Sequence, residues 1–137
     1  MWIQKIKEYL VKLVDSLKST FSTIRSKWSN LYGNNLSQAI EYFDFGMPYE
    51  CYSRLKIILK IWPNDERAIY LLGLLCVCVE NDEEAMKYLS KLDSLGRESV
   101  QKLVRVVQMG KSGIIAKKYS ENPNLDAVEY EISNIAS

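Results

Sequence analysis

Histidine is absent from the 137 residues, which removes the commonest general base and the commonest metal ligand. Cysteine is scarce and odd in number, so Cys51, Cys76 and Cys78 cannot all pair within one chain. All three fall in apolar helical patterns, and the C-x-C spacing matches neither the redox nor the zinc pairings of C-x-x-C type. Buried free thiols in a reducing, cytoplasmic compartment are expected. An excess of one charge is also missing: 18 basic and 17 acidic residues leave +1, so a whole-molecule electrostatic grip on nucleic acid is not expected. The apolar, uncharged run Ala68 to Val79 is twelve residues long and falls short of the about 20 that span a bilayer. The N-terminus is apolar but interrupted by Lys5, Lys7, Glu8, Lys12 and Asp15, unlike a signal peptide, and reads as mature protein. No cofactor or metal is implied.

What is present suits one domain with its own core: 47% of residues are apolar and 26% charged. Charge is unevenly distributed. Residues 1–31 carry six basic side chains against two acidic ones, a net +4, whereas Glu121 to Ser137 holds Glu121, Asp126, Glu129 and Glu131 and no base.

In residues 1–31, Ile3, Ile6, Leu10, Leu13, Leu17, Ile24 and Leu31 follow alternating steps of three and four, with lapses at Thr20 and Lys27. This is the stripe of a helix. Phe21 and Trp28 lie one place beyond each lapse, so the stripe drifts as it does on an unsupercoiled 3.6-residue helix. Tyr32-Gly33-Asn34-Asn35 is expected to end it, because Gly and Asn tolerate the left-handed conformation.

Residues 32–99 repeat. Ala39 and Gly73, Tyr42 and Cys76, Cys51 and Ala85, Leu55 and Leu89, and Ile58 and Leu92 are each separated by 34 positions, small matching small and large matching large. Each unit divides into two helices. In the first, Gly46 closes Leu36 to Phe45, Pro48 suits the first turn of the next helix and Trp62-Pro63 ends it. In the second, Asn81 is the expected break, Asp82 the cap, and Glu83-Glu84 occupy the first turn beside the positive end of the helix dipole. In residues 100–137, Val100, Leu103, Val104 and Val107 mark a helix that Gly110-Lys111-Ser112-Gly113 breaks. Ile114 to Tyr119 reads as the other half of a degenerate hairpin. A last helix opens at Asn122-Pro123, with Leu125, Val128, Ile132 and Ile135 on one face.

The period of 34 and these residue types resemble the tetratricopeptide repeat, a helix-turn-helix unit of that length. The family's small eighth, aromatic eleventh, small twentieth and large twenty-fourth positions fall on Ala39, Tyr42, Cys51 and Leu55, and its proline on Pro63. In the second unit the matching residues are Gly73, Cys76, Ala85 and Leu89. Asn35 and Ile69 depart from the family's tryptophan, and Arg97 stands where a second proline would fall. The resemblance implies an all-α solenoid of tandem hairpins, two clear and one degenerate, preceded by a long amphipathic helix.

It also implies a concave groove lined by the first helix of each hairpin: Leu36, Ile40, Phe43 and Asp44, then Arg67, Tyr70, Leu74, Val77 and Cys78. That lining is largely apolar, and only Arg67 could serve a carboxylate clamp of the kind some family members use. Two other motifs dissolve on inspection. Gly110-Lys111-Ser112 lacks the glycine that a phosphate loop needs at Arg105, and Glu83-Glu84, adjacent on a helix, point about 100° apart.

The expected function is therefore binding and not catalysis: an adaptor or chaperone holding an amphipathic helix of a partner in the groove, similar to the small tetratricopeptide chaperones of type III secretion. The groove could equally be covered by the chain's own N-terminal or C-terminal helix, since exposed apolar patches drive association. The alternative is a peripheral membrane or scaffold protein anchored through its basic N-terminal helix.

Overall fold

A computed structural model describes residues 2–137, which are all-α, with seven α-helices and no strand among them. The chain divides into two compact units at Asn34 and Asn35. Residues 2–34 are helical throughout, the opening three-quarters of α1 (Trp2–Asp44). The expected stop at Tyr32-Gly33-Asn34-Asn35 does not occur. Glycine and asparagine permit a left-handed residue but do not impose one, and a glycine inside a helix costs only about 1 kcal/mol.

The second unit, Asn35–Ser137, takes in residues 35–99 of the segment read from sequence as 32–99 together with 100–137. It contains the last turns of α1, then α2 (Pro48–Ile61), α3 (Glu66–Cys78), α4 (Asp82–Ser90), a short 3-10 turn at Asp93–Leu95, α5 (Glu98–Gln108), α6 (Ser112–Glu121) and α7 (Leu125–Ala136). Three of its turns share one geometry. Gly46, Glu80 and Gly110 are all left-handed, with φ of 69°, 58° and 69°. In each case the next residue's N–H returns to a carbonyl five places back: Met47 to Tyr42, Asn81 to Cys76 and Lys111 to Val106. These are Schellman closures, and each is followed two residues later by the first residue of a new helix. The left-handed residue of the second turn is Glu80, not Asn81. Asn81 is itself the cap, accepting the Glu84 N–H at 3.3 Å, and Asp82 is the first helical residue.

Helix α3 is the centre of the unit. From Ala68 to Cys78 it has no charge, and every residue is buried, as an all-round apolar helix requires. Helices α2, α4 and α6 pack on it, and α5 touches it more lightly. Asp65 starts it by accepting the Ala68 N–H at 3.0 Å. The α3–α4 crossing is close because Gly73 lies against Leu89: a Cβ at 73 would sit 2.7 Å from Leu89 Cδ2. The expected α5–α6 hairpin does not pair as such. Helix α5 packs on α7 and α4, and α6 turns onto α3 and α7. Val106 takes the buried place expected for Val104 and Val107, and Ala136 that expected for Ile135; α7 begins at Leu125, capped by Asn124.

Two glycines separate these cases. Gly73→Ala is expected to lower the free energy of unfolding in urea by about 1–3 kcal/mol, because Leu89 is fully buried and cannot move aside. Gly33→Ala meets open space in mid-helix and is expected to raise stability of that segment by up to about 1 kcal/mol, seen as slower amide exchange around residue 33. Faster exchange there would restore the expected break.

Candidate functional site

Most of the residues expected to line a concave groove are covered within the second unit. Phe43, Tyr70, Leu74, Val77 and Cys78 are buried; Leu36, Ile40 and Asp44 are half-buried; Arg67 is exposed. The chain's own C-terminal helices occupy this face. The rings of Phe43 and Tyr119 of α6 lie 4.7 Å apart, tilted by 50°, in the range of a favourable aromatic pair. Ile115 of α6 is fully buried beside α3.

Polar ties fix the cover in register. Asp44 Oδ1 accepts the Leu125 N–H at 2.8 Å, and Asn124 accepts the Ala127 N–H at 3.0 Å, so two side chains serve the free amides at the start of α7. A carboxylate at the end of α1 is unfavourable to that helix's dipole, and placement at the start of α7 offsets it. Tyr70 donates to Glu129 Oε2 at 3.0 Å, joining α3 to α7. Burial, with Glu129 as the hydrogen-bond acceptor, raises the Tyr70 phenol well above its ordinary range. Pro123 packs against Gly46, where a Cβ would lie 3.3 Å from its Cγ.

The thiols are inert by environment. Burial, with Asp44 nearby, raises Cys51 from 9.0 to about 12; burial and Glu84 raise Cys76 to about 11; burial, then Cys51 and Cys76, raise Cys78 further. Cys76 borders a surface cleft of about 550 Å³ that also involves Tyr49, Tyr52 and Glu84. Among the described residues no group of three or more Cys, Asp or Glu is arranged to hold a metal ion.

The chemistry lies outside the expected groove, on residues 2–31. At about 100° per residue, Trp2, Ile3, Ile6, Leu10, Leu13, Leu17, Phe21, Ile24, Trp28 and Leu31 share one sector about 100° wide. These side chains are 39–70% exposed. The two lapses are smaller than the sequence implies. Thr20 falls within the sector with its Oγ1 donating to the Ser16 carbonyl at 3.0 Å, while Lys27 falls just beyond the sector's edge. The stripe itself was legible; its exposure was not, because periodicity marks an apolar face without saying what covers it.

Two measurements check this arrangement. Tyr70→Phe leaves Glu129 without its donor and is expected to cost about 1–3 kcal/mol, whereas Tyr119→Phe, whose hydroxyl has no partner among the described residues, is expected to change stability by less than about 1 kcal/mol. The second is pH dependence. A thiol whose folded value is raised stabilises the fold fully below the unfolded value of 9.0 and loses that contribution as pH climbs toward about 11 for Cys76 and about 12 for Cys51. The urea midpoint should therefore fall above about pH 9, and thiol titration of the folded chain should reach Cys76 first.

No family model, curated protein or solved structure matches the chain, so its function is read from these residues alone.

Proposed function

We propose that the protein is a non-catalytic binding protein that engages its partner through the apolar face of residues 2–31. The second unit is read as a tetratricopeptide-like scaffold, closed on its own last helices. Support for the scaffold comes from the 34-residue echo, from the identical closures at Gly46 and Glu80, which are also 34 apart, and from the tight Gly73–Leu89 crossing. The third closure, at Gly110, follows after 30 residues and introduces a helix that turns inward.

The observation that carries the binding assignment is the exposed sector of α1. A row of Ile, Leu, Phe and Trp facing water over about eight turns is far more apolar surface than scattered single side chains, and such surface marks an interaction site. The groove reading needs the opposite arrangement. A partner helix on Phe43, Tyr70 and Leu74 would have to expel α6 and α7, and fully burying each Leu, Val or Phe already contributes about 1.5–3 kcal/mol. Tyr119, Ile115, Val128 and Ile132 would all have to be matched.

Site-specific photo-crosslinkers in the full chain test the assignment in the native host. Probes at Ile6, Leu13 and Leu17 are expected to join a molecule outside the chain, and probes at Glu8 and Asp15 on the opposite face to join none. Crosslinks from Tyr70 or Leu74 to another protein would restore the chaperone groove, and crosslinks from Leu13 only to residues of the same chain would end the docking reading.

A further inference from the structure

We infer that the partner of this face is an anionic lipid bilayer, on which residues 2–31 lie flat. The inference rests on the docking reading above and names its occupant. Three features of the helix select a lipid surface.

The first is charge placement. On the α1 helix, Lys7, Lys18 and Arg25 fall beside one edge of the apolar sector and Lys5 and Lys27 beside the other, with Lys12 farther round toward the acids. The two acids, Glu8 and Asp15, sit at the pole opposite the sector's centre. Five of the six bases can extend sideways to the depth of lipid phosphates while their stems lie on the apolar face, and both acids stay farthest from an anionic surface. The segment's +4 is thus concentrated at its rim. Residues 35–137 carry 12 bases and 15 acids, so attraction to anionic lipid resides wholly in this segment.

The second is the shape of the sector. A two-stranded coil uses a narrow seam that winds with a 3.5-residue repeat, and it selects its partner by opposite charges beside that seam. Here the sector stays fixed on a 3.6-residue helix, is about 100° wide, and has bases on both sides. Two copies would bring like charges together, whereas a flat apolar layer under a negative surface matches width, straightness and charge.

The third is depth. Trp2 and Tyr9 stand at the rim, where amphipathic rings settle between headgroup and acyl chain. Charges on every turn or two exclude a spanning orientation, and among the described residues no helix is long and apolar enough to cross a membrane. The helix lies on the bilayer and does not pass through it.

The test uses the full chain carrying Trp62→Phe, so that Trp2 and Trp28 report alone. Vesicles of phosphatidylcholine containing phosphatidylserine are expected to shift the emission to the blue and to carry the protein down on sedimentation, and pure phosphatidylcholine to do so at least tenfold less well at low salt. Replacing Lys7, Lys18 and Arg25 together by Gln is expected to weaken binding by about fivefold per residue, about a hundredfold in all. The change of Glu8 and Asp15 to Gln and Asn should leave binding equal or tighter. Leu13→Glu should abolish it with helicity and the urea transition retained. Equal binding to charged and neutral vesicles, or an unchanged affinity in the triple variant, would overturn the assignment. Absence of vesicle binding alongside photo-crosslinks from Leu13 to a protein would remove the lipid and keep the docking face; absence of both would remove both.

Discussion

Eleven consecutive buried residues without a charge, Ala68 to Cys78, set the terms for the rest of the second unit. A helix apolar on every side must be covered on every side, and a single repeat partner covers only one. Helices α2 and α4 take two flanks. The third flank would be open in an array of hairpins that presents a groove, and here α6 fills it, with α7 packed on α6 and tied to α3 by Tyr70–Glu129. The inward turn of α6, the Asp44 carboxylate at the start of α7 and the Tyr70–Glu129 hydrogen bond all follow from that demand. Groove and cover are thus two uses of one surface, and the chain spends it on itself.

Local features were legible because local residues produce them. Gly46, Pro48 and Trp62-Pro63 bound their helices as expected, since a positive φ, a preset φ and a missing N–H act within one turn. The small-residue positions were legible for the same kind of reason: Gly73 leaves room that only Leu89 can use. Failures arose where two local options were close in energy. Gly33-Asn34-Asn35 can close a helix or continue one, and flanking helix-forming residues carried it through. Asn81 and Asp82 can each cap α4, and the left-handed Glu80 placed Asn81 at the cap.

The candidate site divides along the same line. The resemblance to the tetratricopeptide repeat implied one face for Phe43, Tyr70, Leu74, Val77 and Cys78, and all five are buried. The occupant of that face was not legible, since Phe43 and Tyr119 are 76 positions apart and nothing in either neighbourhood marks the other. Residues 2–31 present the converse. Their stripe is plain in the sequence, but its exposure is not, since periodicity does not encode it.

Placement of the bases relative to the stripe distinguishes a segment made to be buried in protein from one made for a charged interface. A helix that packs into a core gains from polar residues directly opposite its apolar side, where water is, and has no use for lysines at both rims, where neighbouring helices press. Residues 2–31 share the first feature, with Glu8 and Asp15 at the far pole, and differ in the second, with five of their six bases beside the apolar sector. Rim bases keep their heads in water only if whatever meets the apolar face is itself flanked by water or by negative charge. The contact is then made of two parts that respond differently to conditions: the apolar part persists in salt, and the ionic part is screened over about 10 Å at 0.1 M. Attachment of the kind inferred for such a helix would be reversible and set by the charge density of the surface.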